Sequence, residues 1–484
     1  MRAEEYAEYD ALGLAELVRN HEVSPRELVE CAIEAHSLVG DAVNAVVAMH
    51  PEAAMHPAET ETEPGSDLTG PFAGVPYLVK DLFHGAAGLP CGNGSRLSPD
   101  WKVSRSSQIV DRAAMAGLRV VGRSTTSEFG VMGTTETLAE GITSSPWSAS
   151  HMAGGSSGGA AAAVGAGIVP FALASDGGGS IRIPASACGV VGLKPSRARV
   201  PWGLRSKEPL LGWAVQFAVA RTVRDTAALL DALSGPTPGD IEGMPRNDSS
   251  FLSALSSSPT TPLRIAWWTD PWSGHEPDPE VTTATLETVA LLESLGHRME
   301  NATPRFDWDS YLTAMTDVWT STTAQTIDGF ARSLGRPVDS STLEGATLQM
   351  VEHGREVTAL QLLSAIDAEM VLTAVMNAFF AEYDVLLTPT LAAPPPRVGF
   401  YDPTAPTPPR ETFATWSRWE CFLPVFNTTG LPAISLPLHM SDAGLPLGMQ
   451  FVAGIGREGT LLRLAGQLEA ALPWRERRPT AFPR

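Results

Sequence analysis

The sequence predicts an α/β protein built on a mixed, mostly parallel β-sheet with helices on both faces. Three observations point there. Between residues 74 and 235, helix-period segments, short apolar runs and Gly-rich turns alternate, the pattern of strand–helix–strand units on a parallel sheet. Further apolar runs of strand length recur near the middle and end of the chain. Finally, 43% of the 484 residues are hydrophobic, enough to cover both faces of a large sheet.

Taken in order, Ser24-Pro25-Arg26-Glu27 has the form of a capping box with proline at the first helical position. Leu28, Cys31, Ala32 and Ala35 follow at helical spacing. Residues 51 to 70, rich in Glu, Pro and Thr, read as an exposed connection. GVPYLVKDL, residues 74 to 82, reads as a short buried strand that carries a lysine. A helix is predicted over 106–116 and a strand over Leu118–Val121. Residues 235 to 262, rich in Gly, Pro and Ser, mark a loop. LRIAWW at 263–268 predicts a strand, 279–295 a helix, and 308–382 a mainly helical region. Strands are expected at Leu386–Pro389 and Ala433–Leu438, and a closing helix at 459–471. Pro394 to Pro409 reads as a loop over the body, and there is no internal repeat.

Composition narrows the function. A net charge of −20 and a pI of about 4.9 repel phosphate backbones and anionic lipid, so neither nucleic acid nor a membrane is expected as partner. Cys31, Cys91, Cys188 and Cys421 are far apart, which argues against a disulfide framework and for a reducing compartment. The histidines form no close pair, so no metal site is expected. The N-terminus is acidic and lacks an apolar stretch of signal-peptide type. The apolar run from Gly158 to Ala174 is interrupted by Gly165, Gly167 and Pro170, too broken to span a bilayer. A cytoplasmic protein without cofactor is the expectation.

The chemistry is concentrated between Gly154 and Pro195, where two Gly-Ser clusters flank a small-residue helix. Gly177, Gly178 and Gly179, followed by Ser180, are suited to a nest of main-chain amides that binds an oxyanion. A serine at the end of such a nest is placed to attack where donors already point. Its base need not be histidine. Lys80 follows Leu78 and Val79 in an apolar segment, and burial disfavours the ammonium form, so a neutral amine can accept a proton. Ser156 is a relay between Lys80 and Ser180, and the relay run backwards protonates a leaving amine. Each part also has an ordinary explanation. GGSSGG alone is most often a flexible loop, a lone lysine most often solvated. His84 and His151 are read as hydrogen-bonded bystanders. It is the combination that is specific.

The stretch from about 72 to 230 resembles the amidase signature family on several blocks. GVPYLVKDL resembles its lysine segment, GGSSGG its cis-serine segment, and SDGGGSIRIPASACGVVGLKPS its nucleophile segment. DVLLTPTLAAPPP, PVFNTTGLPAISLPL and GLPLGMQFVAGIGREGTLLRLAGQLE extend the likeness to nearly the whole chain. The resemblance implies the amidase signature fold over 1–484 as one domain, with the signature core at about 72–230 and a helical substrate-pocket insert at about 300–382. It implies hydrolysis through an acyl-enzyme on Ser180, with a cis Gly155–Ser156 peptide and Ser157 supporting the network. The amides of Gly177, Gly178, Gly179 and Ser180 would form the oxyanion hole, and Asp176 and Arg182 would pair to fix the loop. Two departures stand out: Gly122-Arg123-Ser124-Thr125 replaces GKTN, with Glu128 after it, and Gly178 stands where many members carry alanine or a bulkier residue.

ALPWRERRP, GLKPSRARV and FAGVPYLVKDL resemble the branch of 6-aminohexanoate cyclic-dimer hydrolases and related bacterial amidases. Trp319 aligns where a cysteine lines the pocket in the cyclic-dimer enzymes. Among Trp202, Trp213, Trp308, Trp319, Trp416, Trp419 and Phe422, the candidates to line an apolar pocket are Trp202, Trp319 and Trp416; most of the set is expected in the core. The expected substrate is a small apolar, aryl or aliphatic amide, with a carbamate (a urethanase activity) or an ester as alternative. A homodimer is one option for its assembly. A glutaminase subunit of a tRNA-dependent amidotransferase shares the signature, but SRARVPWGLR stands where such subunits carry a YGRVSR-type segment. A non-enzymatic binding protein is opposed by intact Lys80, Ser156 and Ser180.

Overall fold

The computed structural model describes residues 1–55, 70–203, 208–238, 240, 243–255 and 261–483. The connection read at 51–70 lies outside them from 56 to 69, and the loop read at 235–262 does so in part. Eleven strands form one sheet: β1 Val46–Met49, β2 Pro76–Lys80, β3 Arg119–Ser124, β4 Phe171–Asp176, β5 Val191–Lys194, β6 Val215–Ala220, β7 Arg264–Trp267, β8 Arg298–Asn301, β9 Val385–Pro389, β10 Ala433–Met440 and β11 Pro446–Ala453. Their spatial order is β1-β3-β2-β4-β6-β5-β10-β11-β9-β7-β8. The sheet is mixed, as predicted. Parallel pairing joins β3-β2-β4 and β9-β7-β8 towards the two ends of the sheet, and the edge strand β1 pairs antiparallel with β3. The centre, from β4 to β9, pairs antiparallel. Crossovers of helical length make the parallel flanks, whereas the short link from β10 to β11 permits only an antiparallel pair.

The helices that bear on function are α1 Pro25–Val43, α2 Gln108–Met115, α3 Gly158–Gly165, α4 Arg182–Cys188, α5 Val223–Leu233, α6 Pro279–Ser294, α7 Trp308–Leu334, α8 Gly345–Glu356, α9 Ala359–Glu382 and α10 Glu458–Ala471. The capping box on α1 is present, with Ser24 Oγ accepting from the Glu27 amide and the Glu27 carboxylate accepting from the Ser24 amide. Strands β2, β4, β5, β6, β9 and β11 are buried at every position, so both faces of the sheet are covered. The small helix α3 is wholly buried; its alanines let its backbone approach the sheet closely.

Helices α7, α8 and α9 make up the predicted helical region and carry their own apolar core. Met315, Trp319, Met350, Leu372 and Met376 pack there, continuous with Leu386 and Val452 of the sheet. By length and composition, α9 is the one helix among the described residues apolar enough to cross a membrane. It buries Ala365, Leu372 and Met376 and leaves Leu360, Leu363, Met370 and Val371 exposed.

Candidate active site

The site forms at the carboxyl ends of neighbouring parallel strands, where α/β sheets place ligands. Leu78 of β2 lies opposite Ala172 of β4, which brings Lys80 and Ser175 to the same level at the ends of their strands. The turn after β4 carries Gly177 to Ser180 into α4, and Ser156 and Ser157 lead into α3. Two helix starts and two strand ends thus converge. The Gly155–Ser156 peptide is cis.

Lys80 is completely buried. Its Nζ lies 2.8 Å from Ser156 Oγ, 2.8 Å from Ser157 Oγ and 3.0 Å from Ser175 Oγ. Burial drives its pKa well below the ordinary value of 10.5, and the charge of Asp176 opposes that only in part. Ser157 is fixed by donating to the Ser175 carbonyl at 3.1 Å. Ser156 and Ser180 open onto the same pocket. The Ser180 hydroxyl makes no protein hydrogen bond among the described residues, leaving it directed at that space.

Asp176 and Arg182 are both fully buried and paired, Nε to Oδ2 at 2.9 Å and Nη2 to Oδ1 at 3.0 Å. Burial would raise the Asp176 pKa, but the guanidinium charge and its hydrogen bonds outweigh it and hold the carboxyl at about 2. The same guanidinium donates to Leu423 O, Gln450 Oε1 and Asn427 Oδ1, tying the turn to the C-terminal third of the chain. The Asp176 carboxylate also accepts the amide of Gly179 at 2.7 Å. This amends the expected donor set: the Gly179 N–H is engaged within the turn, while the amides of Gly177, Gly178 and Ser180 have no protein acceptor among the described residues. At Gly179 φ is 139°, and a Cβ there would lie 2.8 Å from Leu423 Cδ1, so only glycine lets the turn close in this shape.

Behind Lys80, the departure at Arg123 proves to be a buried brace. Its Nε lies 2.5 Å from Asp81 Oδ1, and its guanidinium donates to the carbonyls of Lys80 and His84. His84 is fully buried, stacked against Trp202, and its pKa falls to about 3 because burial and the nearby cations disfavour the imidazolium. His151 sits apart, bonded to Ser148.

The pocket has two arms that meet at Ser180 and Trp319. The first is lined by Ser156, Ser175, Gly177, Trp202, Leu210 and the threonines of α7. Trp319, Thr322, Thr323, Thr326 and Ile327 follow one another at helical spacing, so α7 presents one face to this arm. The second is lined by Gly178, Met132, Met315, Phe413, Trp416 and Glu420. Trp202 therefore stands in the first arm, Trp416 in the second and Trp319 between them. A side chain at Gly178 would lie 3.1 Å from the Trp319 ring, so the indole fills the space left by that departure. Trp213, Trp308 and Trp419 pack in the helical core, and Phe422 in a small cluster of its own. Ser175, Asn427, Gln450 and Glu420 are site residues that motif spacing does not reveal.

A family model described as Amidase matches residues 27–462. The chain belongs to the amidase signature family. It is a hydrolase of carbon–nitrogen bonds of the amide type. Over 482 residues it is 36% identical to the 6-aminohexanoate-cyclic-dimer hydrolase of Paenarthrobacter ureafaciens, covering 97% of this chain and 96% of that one. It is 32% identical to an acylamidase of Rhodococcus erythropolis, over 97% and 96% of the two chains. A solved structure of 6-aminohexanoate cyclic dimer hydrolase complexed with substrate superposes with a TM-score of 0.91 at 34% identity, over 98% of this chain and 99% of that one. This amidase thus keeps the family's architecture along nearly its whole length.

Proposed function

We propose that this amidase cleaves a small apolar aryl or aliphatic amide through an acyl-enzyme on Ser180, with Ser156 and Lys80 as its proton relay. The observation that carries the reading is the fully buried Lys80 amine within 2.8 Å of Ser156 Oγ. A neutral amine there takes the Ser156 proton while Ser156 takes that of Ser180, whose Oγ attacks the carbonyl carbon. The oxyanion that forms is met by the amides of Gly177, Gly178 and Ser180. Collapse breaks the C–N bond, and the leaving nitrogen receives its proton from Ser156, resupplied by the Lys80 ammonium. Water then enters by the same relay, adds to the acyl carbon and releases the acid. Ser175 shares Lys80 with Ser156 and Ser157 and helps to orient the amine.

The walls support an apolar substrate. Among the described residues lining the two arms there is no Lys, Arg or His, which favours an apolar substrate over one carrying a carboxylate such as glutamine. Carbamates and esters meet the same hydroxyls, and a side-by-side panel of anilides, carbamates, oligoamides and esters ranks them. Ser180→Ala should lower turnover of the best substrate at least about 10³-fold and abolish labelling by a fluorophosphonate. Retained labelling or turnover would overturn the assignment.

A further inference from the structure

The pocket is partitioned, and the partition bears on the shape of substrate it admits. Trp319 lines both arms, whereas Gly177 lines only the first and Gly178 only the second. A Cβ at Gly177 would lie 3.6 Å from Trp319 Cη2, and one at Gly178 would lie 3.1 Å from Cζ3 and 3.2 Å from Cη2. The six-membered edge of the indole therefore stands over the peptide that joins the two glycines. Between ring and turn there is no room for a methyl group at Gly178 without a shift, and so none for a substrate chain.

The indole is held in that place. It is 7% exposed and belongs to the same apolar core as Met315 and Leu386. Phe413 stands edge-on to it with ring centroids 5.9 Å apart, and Phe413 is itself edge-on to Trp416. A ring packed in this way does not swing aside at small cost, because a close-packed core leaves no space to receive it. Besides Trp319, the described residues that line both arms are Gly130 and Ser180. The arms thus communicate past the nucleophile, where Gly130 contributes no side chain. A Cβ there would lie 2.6 Å from Leu82 Cδ2 and 3.5 Å from Ser156 Oγ.

A restriction on substrate topology follows. The scissile carbonyl must reach Ser180, which stands in that passage, so the acyl part of the substrate and its amine part extend on opposite sides of the indole. An open-chain amide threads the passage once. In a large-ring amide the two parts are joined a second time, and the second strand must also cross between the arms, where the indole stands. We infer that Trp319 is a specificity-determining residue that restricts the enzyme to open-chain amides and excludes amides of large rings. Selection here works through a clash with the wrong substrate rather than through an added attraction to the right one. The inference rests on the Ser180 acyl-enzyme proposed above and adds the topology of its substrate.

Two compounds that differ by a single carbon–carbon bond test it: N-hexylhexanamide, an open chain, and azacyclotridecan-2-one, its large-ring counterpart. The unaltered enzyme should turn over the open-chain amide with a kcat/KM at least about 10²-fold above that of the ring. Trp319→Ala should narrow the ratio at least about tenfold through a gain on the ring compound, while fluorophosphonate labelling of Ser180 reports that the variant keeps its site. Competition on the unaltered enzyme gives a second measurement that needs no variant. Against the best anilide of the panel, N-hexylhexanamide should inhibit at least about tenfold more strongly than the ring. Equal turnover of the two compounds, equal inhibition by them, or an open-chain amide that neither turns over nor competes would overturn the partition while leaving the acyl-enzyme intact. So would a ratio left unmoved in a Trp319→Ala variant that still labels. Absence of labelling at Ser180 in the unaltered enzyme would overturn both.

Discussion

At Lys80 the surroundings oppose the charge that a lysine ordinarily carries. Three serine hydroxyls stand within 3.0 Å of its nitrogen, but burial is the larger influence and lowers the pKa well below 10.5. Two consequences follow with definite sign. If the neutral amine is the base, kcat/KM rises with pH as Lys80 loses its proton and levels off above its folded-state pKa; Lys80→Met should lower kcat/KM about 10²–10⁴-fold and remove that limb of the profile. Stability rises with pH as well. Above the folded-state pKa the unfolded chain binds the extra proton, so the penalty of burying this amine is full at low pH and fades as pH rises towards 10.5. Lys80→Met should therefore raise Tm at neutral pH, with a gain that shrinks near pH 10. A variant less stable than the parent at neutral pH would show that the three hydrogen bonds outweigh the desolvation.

The turn between β4 and α4 is the element that holds Ser180, and a single guanidinium organises it. Arg182 serves Asp176, Asn427, Gln450 and the Leu423 carbonyl at once. Removing it leaves a buried carboxylate and two side-chain amides without their shared donor. Arg182→Met should cost about 3–5 kcal/mol by denaturant unfolding. Arg182→Lys should restore little of this, because one ammonium cannot reproduce a planar fork aimed at acceptors on several sides. Full stability in the lysine variant would mean that charge alone, not geometry, fixes the turn. The neighbouring element α7 shows a second kind of economy: its one face of Trp319, Thr322, Thr323 and Thr326 makes a pocket wall from ordinary helical periodicity.

On the scale of the whole molecule, the signature core and the helical region are joined by a buried carboxyl pair close to the pocket. Glu128 accepts from Ser95 Oγ at 2.6 Å and from the Glu344 amide at 2.8 Å, and Glu344 accepts from the Leu138 amide at 2.7 Å. Burial raises both pKa values; for Glu344 the charge of Glu128 adds to it, and the Leu138 amide and then Arg96 oppose it. Carboxyls with raised folded-state values contribute stability that is full below their unfolded pKa and is lost as pH climbs through the folded one. Glu344→Gln should flatten that decline, giving a higher Tm than the parent at alkaline pH; equal losses in the two proteins would assign the decline elsewhere. The residues of the proposed relay, by contrast, were legible without any tertiary information. Lys80, Ser156 and Ser180 lie in blocks whose small residues encode close backbone approach locally, and the helix caps and buried strands are encoded in the same local way. What the chain's linear order does not express is which distant segments meet. Asn427 reaches Arg182 across 245 positions, Trp319 divides the pocket from a helix far downstream of the serines, Glu420 ends one arm, and the Gly179 amide is taken up by Asp176 only once the turn has closed. Such choices follow from strand order in the sheet and from long-range packing, and neither leaves a periodic trace in sequence. Motif chemistry was thus determined by the sequence itself, and the shape and polarity of the space around it by tertiary structure alone.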